Sequence, residues 1–459
     1  MIYARIASQI AADIREGRLV RGEHLPGSRT LARMLKVDRD TVLAAYRDLE
    51  AQGWIVSEPR RGTIVADIPD VRAPAAKGLA ADVAFDLDHG PEALPAAPEK
   101  TPGTIALFGG VPDLRLVPSE LVARAYRRAV RRHAKSVLGY SPDPRGNERL
   151  RAAIARLLRH NRGILAEPDE ILVTRGSQMA LHLFARAVIR PGDVVAVEAL
   201  GYRPAWAILE RAGAKLVGIP VDEGGIDVEK IGKVRAVYVT PHHQYPTTAI
   251  LAAARRARLL DIAKRDRIAV LEDDYDHEFH YEGRPVLPLA SADAHGSVVY
   301  VGTLSKILAP GLRLGFVAAP KPLVDRLARE RFLVDRQGDL ALELAVAELI
   351  EDDELGRHAR KMRRTYLSRR NALTEALGKI PALSFRIPSG GMAMWAEVDP
   401  EIDVDAWSAR AAKAGVLFQP GSAFSLAKRK VRAARFGFAM CTEAELATAG
   451  KRLERSLSK

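Results

Sequence analysis

Three apolar runs in the middle of the chain each end in residues equipped for chemistry. Ile171-Leu172-Val173 runs into Thr174-Arg175-Gly176-Ser177-Gln178. A glycine–serine turn at the start of a helix offers free N–H groups and a hydroxyl to a phosphate. Ile268 to Leu271 ends in Glu272-Asp273-Asp274-Tyr275-Asp276. Carboxylates crowded at a buried strand end need a cation, a metal or a protonated heterocycle as partner. Val298 to Val301 ends in Gly302-Thr303-Leu304-Ser305-Lys306, and Arg313 follows in Gly311-Leu312-Arg313-Leu314-Gly315. Each feature alone has an ordinary structural reading. Together they describe a lysine able to form a Schiff base with a phosphorylated aldehyde cofactor, beside its counter-charges.

The elements that must hold these residues are legible in the apolar pattern. From Thr104 onward, short β-branched runs alternate with helical stretches. Besides the three above, Val194 to Val197, Val234 to Val239 and Phe316 to Ala318 read as strands. The expected architecture is α/β: buried parallel strands in a three-layer domain, with ligands beyond the strands' carboxyl ends. A smaller α+β unit with strand-like Met392 to Trp395 and Val431 to Phe438 closes the chain.

The first 66 residues read differently. Ile2, Ile6, Ile10 and Ile14 mark an amphipathic helix. Ser28 is a plausible N-cap for a short helix over Arg29 to Leu35. A turn at Lys36-Val37-Asp38 leads to a third helix, Arg39 to Gln52, and two β runs flank Glu58-Pro59-Arg60-Arg61-Gly62. This is the order of a winged helix–turn–helix. Arg39 and Thr41 open the reading helix, where Arg39 suits a guanine and Thr41 a phosphate or a thymine methyl. Arg29 suits a backbone phosphate, and Arg60, Arg61 and Gly62 a wing tip in the minor groove. Residues 67–102 are rich in alanine and proline and read as a linker.

Composition bounds the remaining possibilities. The chain has 459 residues, 28 % charged and 47 % hydrophobic, which suits two or three globular domains. No run approaches the roughly 20 apolar residues of a membrane span. No secretory signal is visible at Met1 to Arg5, and the one cysteine excludes an internal disulfide. A cytoplasmic protein without a membrane partner is expected. The net charge of +13 favours a polyanionic partner. Residues 123–162 alone carry 12 Lys+Arg against 2 Asp+Glu, a net +10, read as helices with arginine on the wet face or as a surface for DNA.

Residues 104–459 resemble the fold-type I pyridoxal-phosphate (PLP) enzymes of the aspartate-aminotransferase superfamily, and residues 2–66 resemble the GntR winged helix. The combination resembles the MocR/GabR family of PLP-dependent transcriptional regulators. The resemblance rests on Thr240-Pro241-His242-His243-Gln244-Tyr245-Pro246-Thr247, Glu272 to Asp276 and Gly302 to Lys306. It implies a GntR-type reader over 1–66, a linker over 67–102 and an aminotransferase-like domain over 103–459, large part 103–330 and small part 331–459. It further implies that Lys306 forms the Schiff base and Asp273 pairs with the pyridine nitrogen. Tyr275 reaches the phenolic oxygen, Tyr202 stacks on the ring, and Ser177, Gln178, Thr303, Ser305 and Arg313 surround the phosphate. Tyr140 reaches the phosphate from the neighbouring subunit of a homodimer, and Arg435 binds an amino acid's carboxylate.

The function so implied is a regulator that binds operator DNA and senses an amino acid or amine effector through an aldimine on Lys306. The alternative is an active aminotransferase carrying a DNA-binding domain. Two departures from the enzymes bear on that choice. Tyr245-Pro246-Thr247-Thr248 stands where Asn-Pro-Thr-Gly is usual, and Ala199-Leu200-Gly201-Tyr202 where Asp-Pro-Gly-Tyr is usual. The run Asp276-His277-Glu278-Phe279-His280 has no fixed zinc spacing, so no metal ligand is expected from it.

Overall fold

The computed structural model describes residues 2–59, 61–68, 83, 85, 86 and 102–457. The chain forms two compact units, Met1–Gly90 and Pro91–Lys459. Arg60 and nearly all of the 67–102 linker lie outside the described residues.

The first unit is three helices and a hairpin: α1 (Ile2–Arg15), α2 (Ser28–Leu35), α3 (Arg39–Ala51), β1 (Ile55–Glu58) and β2 (Gly62–Val65). Ile10, Ala32, Val42, Leu49 and Ile55 close its core. Tyr46 Oη donates to Pro26 O at 2.6 Å and ties α3 to the entrance of α2. Lys36 takes the left-handed conformation, φ 54°, and makes the sharp turn between α2 and α3. Ser28 is not the N-cap: Gly27 holds that position, and Ser28 Oγ accepts from Arg39 Nε at 3.3 Å. The hydroxyl thus links the first residues of the two helices.

The second unit is built on a seven-stranded sheet. Its strands are β3 (Ile171–Thr174), β4 (Val194–Glu198), β5 (Lys215–Ile219), β6 (Ala236–Val239), β7 (Ala269–Asp274), β8 (Val298–Thr303) and β9 (Gly315–Ala318). Their order is β3-β9-β8-β7-β6-β4-β5. The sheet is mixed rather than wholly parallel, because β9 runs antiparallel to both β8 and β3. β5 escapes a reading by apolar runs because it is an edge strand with Ile219 its one buried residue. Alternation along the central strands feeds two layers of helix: Leu271 and Val299 face one side, Val270 and Val298 the other. A four-stranded antiparallel sheet, β10 (Leu383–Phe385), β11 (Ala393–Val398), β12 (Gln419–Pro420) and β13 (Ala433–Gly437), forms the smaller subdomain, in the order β10-β11-β13-β12.

The basic stretch at 123–162 is helical, as Ser119–Val137 and Glu148–Arg162. Much of its charge is spent inside the fold: Arg128 meets Glu348 at 2.7 Å, Arg149 meets Glu351 at 2.7 Å, and Arg151 meets Asp143 at 2.9 Å.

Thr248 sits at φ 63°, in the region that favours glycine. A β-carbon there costs roughly 1–2 kcal/mol, partly offset by the roughly 0.4–1 kcal/mol of unfolded-state freedom a glycine adds. Thr248→Gly is therefore expected to stabilise the protein by about 0.5–1 kcal/mol. Denaturant midpoints of the two proteins check this.

Candidate functional site

The carboxyl ends of β6, β7 and β8 converge with β13 of the small subdomain. β7 ends in three consecutive carboxylates that strand geometry sends to opposite faces. Glu272 accepts from Leu289 N at 2.8 Å and Ala290 N at 3.0 Å. Asp274 accepts from Tyr300 Oη at 2.7 Å and faces His277 Nδ1 at 3.0 Å. Burial alone would raise the Asp274 pKa, but His277 and Arg162 hold it well below the ordinary carboxylate range.

Asp273 points the other way. Tyr238 Oη donates to its Oδ2 at 2.9 Å, whereas its buried Oδ1 has no hydrogen-bond partner among the described residues. Burial, with the like charge of Asp274, pushes its pKa up to about 6, against the pull of Tyr238 and Lys306. One lone pair is therefore waiting for a donor, as a ring N–H would supply.

Lys306 stands in the turn after β8, close enough to Asp273 that each acts on the other's titration. Burial, then the Arg435 charge, lowers its pKa. Thr303 Oγ1 accepts from Ser305 N at 3.2 Å and shapes the turn, and Ser305 Oγ is buried without a hydrogen-bond partner among the described residues. The helix over Gly176–Val188 begins opposite, with Ser177 and Gln178 in its first turn. Gly176 is at φ 73°, and a β-carbon there would lie 3.1 Å from Arg313 Nη2, which donates to Arg175 O at 3.1 Å. Guanidinium, helix N-terminus and hydroxyls together form an anion cradle.

Tyr202 closes one side, its Oη accepting from Gln178 Nε2 at 3.3 Å and its ring edge-on to Tyr245 at 5.6 Å. Tyr275 Oη donates to His243 O at 2.9 Å. Arg435 is 1 % exposed, with its guanidinium carbon 4.4 Å from the Tyr245 ring centroid. Its Nε and Nη1 have no hydrogen-bond partner among the described residues. A β-carbon on Gly109 would collide with Nη1, so glycine there makes the space.

The structure thus brings together Lys306, Asp273, Tyr275, Tyr202, Arg313, Arg435 and the phosphate-type hydroxyls. Tyr140 stands apart: it is 77 % exposed, under the guanidinium of Arg336 at 4.1 Å. Tyr238 was not visible as a site residue; it alternates with Val237 and Val239 in an apolar run and differs only in its hydroxyl. Glu198 was missed too. Thr240 Oγ1 donates to it at 2.7 Å, and burial pushes its pKa up to about 7.

The orphaned Oδ1 of Asp273, the buried lysine whose pKa burial and Arg435 lower, and the anion cradle fit a phosphorylated, ring-protonated aldehyde. Asp273→Asn tests the electrostatics in protein stripped of cofactor. The folded pKa is above the unfolded one, so the Asp273 contribution favours folding below about pH 4 and is lost as pH rises through about 6. Asparagine does not titrate. The variant's stability advantage is expected to open between these pH values and reach about 3 kcal/mol by pH 8, roughly two pKa units at about 1.4 kcal/mol each. Denaturant unfolding at a series of pH values reads it.

In the first unit Arg29 and Arg39 are exposed at the starts of α2 and α3, with Thr41 half-buried in the first turn of α3. Arg61 and Gly62 are exposed at the hairpin tip, Arg61 3.4 Å from Glu58.

Residues 111–453 match the class I and II aminotransferases, and residues 2–65 match the gntR family of bacterial regulatory proteins. The chain is 34 % identical to a probable rhizopine catabolism regulatory protein, MocR, of Rhizobium meliloti, over 80 % of this chain and 75 % of that one. It is 32 % identical to aromatic-amino-acid aminotransferase 1 of Thermococcus litoralis, over 78 % and 89 %. Among solved structures it resembles the multiple substrate aminotransferase of Thermococcus profundus, with a TM-score of 0.73 and 29 % identity over 78 % and 92 % of the chains.

Proposed function

We propose, for a chain that belongs to the class I and II aminotransferases and to the MocR family of transcriptional regulators, that its C-terminal domain holds pyridoxal phosphate and uses it to sense an amino acid or amine. Arg435 carries the reading. A buried guanidinium with unpaired donors is costly unless an anion completes it. It lies beside the lysine where an amine would react, so the anion it suits is the carboxylate of that same molecule.

When bound, the cofactor supplies an aldehyde that amines attack and a ring that withdraws electrons. The protein's residues do the rest. Lys306 Nζ, its pKa lowered by burial and by Arg435, is the amine that holds the aldehyde and yields it to an effector. Asp273, oriented by Tyr238, keeps the proton on the ring nitrogen. Ser177, Gln178, Thr303, Ser305 and Arg313 fix the phosphate, Tyr202 covers the ring, and Tyr275 serves the phenolic oxygen. Tyr140, exposed on its own chain, serves the phosphate of a second copy in a homodimer. The linker passes the closure of the two subdomains to the winged helix on its operator, in the cytoplasm. No helix among the described residues is long and apolar enough to cross a membrane.

Titrating amino acids and amines into the yellow protein tests this. A spectral change with an effector that also alters operator binding supports the reading, and indifference to all of them defeats it. The kinship to aminotransferases keeps a second reading in view, a working enzyme with a DNA-binding domain. Against it, the ring of Tyr245 stands against Arg435 where the enzymes carry an asparagine. Sustained multiple turnover with an amino donor and a keto acid would favour the enzyme.

For the reader, Arg39→Ala should cost about 1–3 kcal/mol of discrimination between operator and unrelated DNA. The effector's spectral response should be unchanged. Competition gel shifts at fixed salt measure the first and absorbance the second.

A further inference from the structure

Three imidazoles meet in a buried place beside the cofactor site. His242 and His243 follow β6, and His280 follows β7. One ring nitrogen from each lies within 4.8 Å of the other two. The residues are 2 %, 1 % and 6 % exposed. Neither nitrogen of His242 has a hydrogen-bond partner among the described residues, nor has His243 Nε2 or His280 Nδ1. Buried polar atoms are nearly always satisfied, so orphans on three adjoining rings call for a further occupant.

The orientation of His243 says what kind. Its Nδ1 lies 2.7 Å from Asp276 Oδ1, which leaves Nε2 as the free lone pair. A carboxylate behind an imidazole is the arrangement that fixes tautomer and ring angle in metal-bound histidines. Backbone clears the space in front: a β-carbon on Gly390 would lie 2.5 Å from His243 Nε2. The 276–280 run, from which the lack of a fixed zinc spacing led to no expected metal ligand, supplies one imidazole, His280. Asp276 supports His243 from behind, and two of the three imidazoles come from a loop 37 or more positions earlier.

We propose that His242, His243 and His280 bind one divalent transition cation, Zn2+ foremost, through three imidazole nitrogens with a fourth position open. Imidazole donors select zinc, nickel or copper over magnesium and calcium, and three histidines with an open position is an established zinc geometry. The site lies at a joint. His280 bridges to Gly390, and Tyr281 N donates to Ser389 O at 2.8 Å, just before β11 of the small subdomain. The His243 carbonyl also receives the Tyr275 hydroxyl. An ion here ties the small subdomain to the sheet within reach of a cofactor residue. The site stands on the histidines alone and does not require the sensing role.

The test uses untagged full-length protein with its cofactor, treated with chelator, dialysed and titrated with Co2+. One equivalent per chain is expected, with the visible ligand-field bands of nitrogen-ligated Co2+, displaced by Zn2+. His280→Gln should weaken binding at least tenfold, and Asp276→Asn by about 10–100-fold. His295→Gln, at the surface, should bind as wild type. X-ray absorption on the zinc-loaded wild type needs no variant and should report three imidazoles. No stoichiometric binding, undiminished binding in His280→Gln, or a zinc shell without imidazole would each overturn the site.

Discussion

Lys306→Ala is expected to leave the protein able to shift its operator and blind to every amino compound. The side chain lies in the turn after β8, in the second compact unit, whereas Arg29, Arg39, Thr41, Arg61 and Gly62 belong to the first. Its loss removes the amine whose titration Asp273 influences. Borohydride should no longer fix the cofactor to the chain, whereas in the wild type the adduct should map to Lys306. Effector-dependent change in operator binding should be abolished, with basal binding within twofold of wild type. A variant that still answers effector in transcription would overturn the sensing mechanism. An enzyme with an incidental DNA-binding domain predicts instead that multiple turnover disappears and operator control is untouched.

Arg435→Ala should weaken binding of a carboxylate-bearing effector by about 1.5–3 kcal/mol, the worth of a hydrogen bond to a charged group. That is roughly ten- to a hundredfold in affinity. Amines without a carboxylate should lose little, so the ratio between an amino acid and its decarboxylated amine is the sharper readout. Cofactor colour should survive, because Asp273 and the cradle around Arg313 are intact. Equal affinity for the amino acid in both proteins would show that the buried guanidinium serves another anion.

Much of this site was legible because its chemistry is written at strand ends. Lys306, Asp273 and Ser177 each follow a β-branched run, and the rule that ligands lie beyond the carboxyl ends of open sheets puts them together. What stayed hidden is what pairing decides. That β9 runs antiparallel depends on hydrogen bonding to β3 and β8, and Phe316-Val317-Ala318 looks the same in either direction. Ser28 carried the right residue type for a cap, yet Gly27 holds that position and the hydroxyl turns to Arg39. Tyr238 could be found only by asking which neighbouring strand end faces Asp273. The histidine cluster escaped for the same reason, since its members come from two loops brought together by the β6–β7 pairing.

The antiparallel return of β9 also sets a timetable for the newborn chain. Leu304 N donates to Leu314 O at 3.0 Å, and Thr303 pairs with Gly315, so Lys306 and Arg313 share one short closed loop. Contacts so local form early and cheaply. Arg435 emerges from the ribosome 129 residues after Lys306, in a strand that must then find β11. On the function proposed above, every residue assigned to the cofactor is therefore synthesised well before the one assigned to an amino acid's carboxylate. Selectivity is, on that reading, the last property of the site to be completed during synthesis.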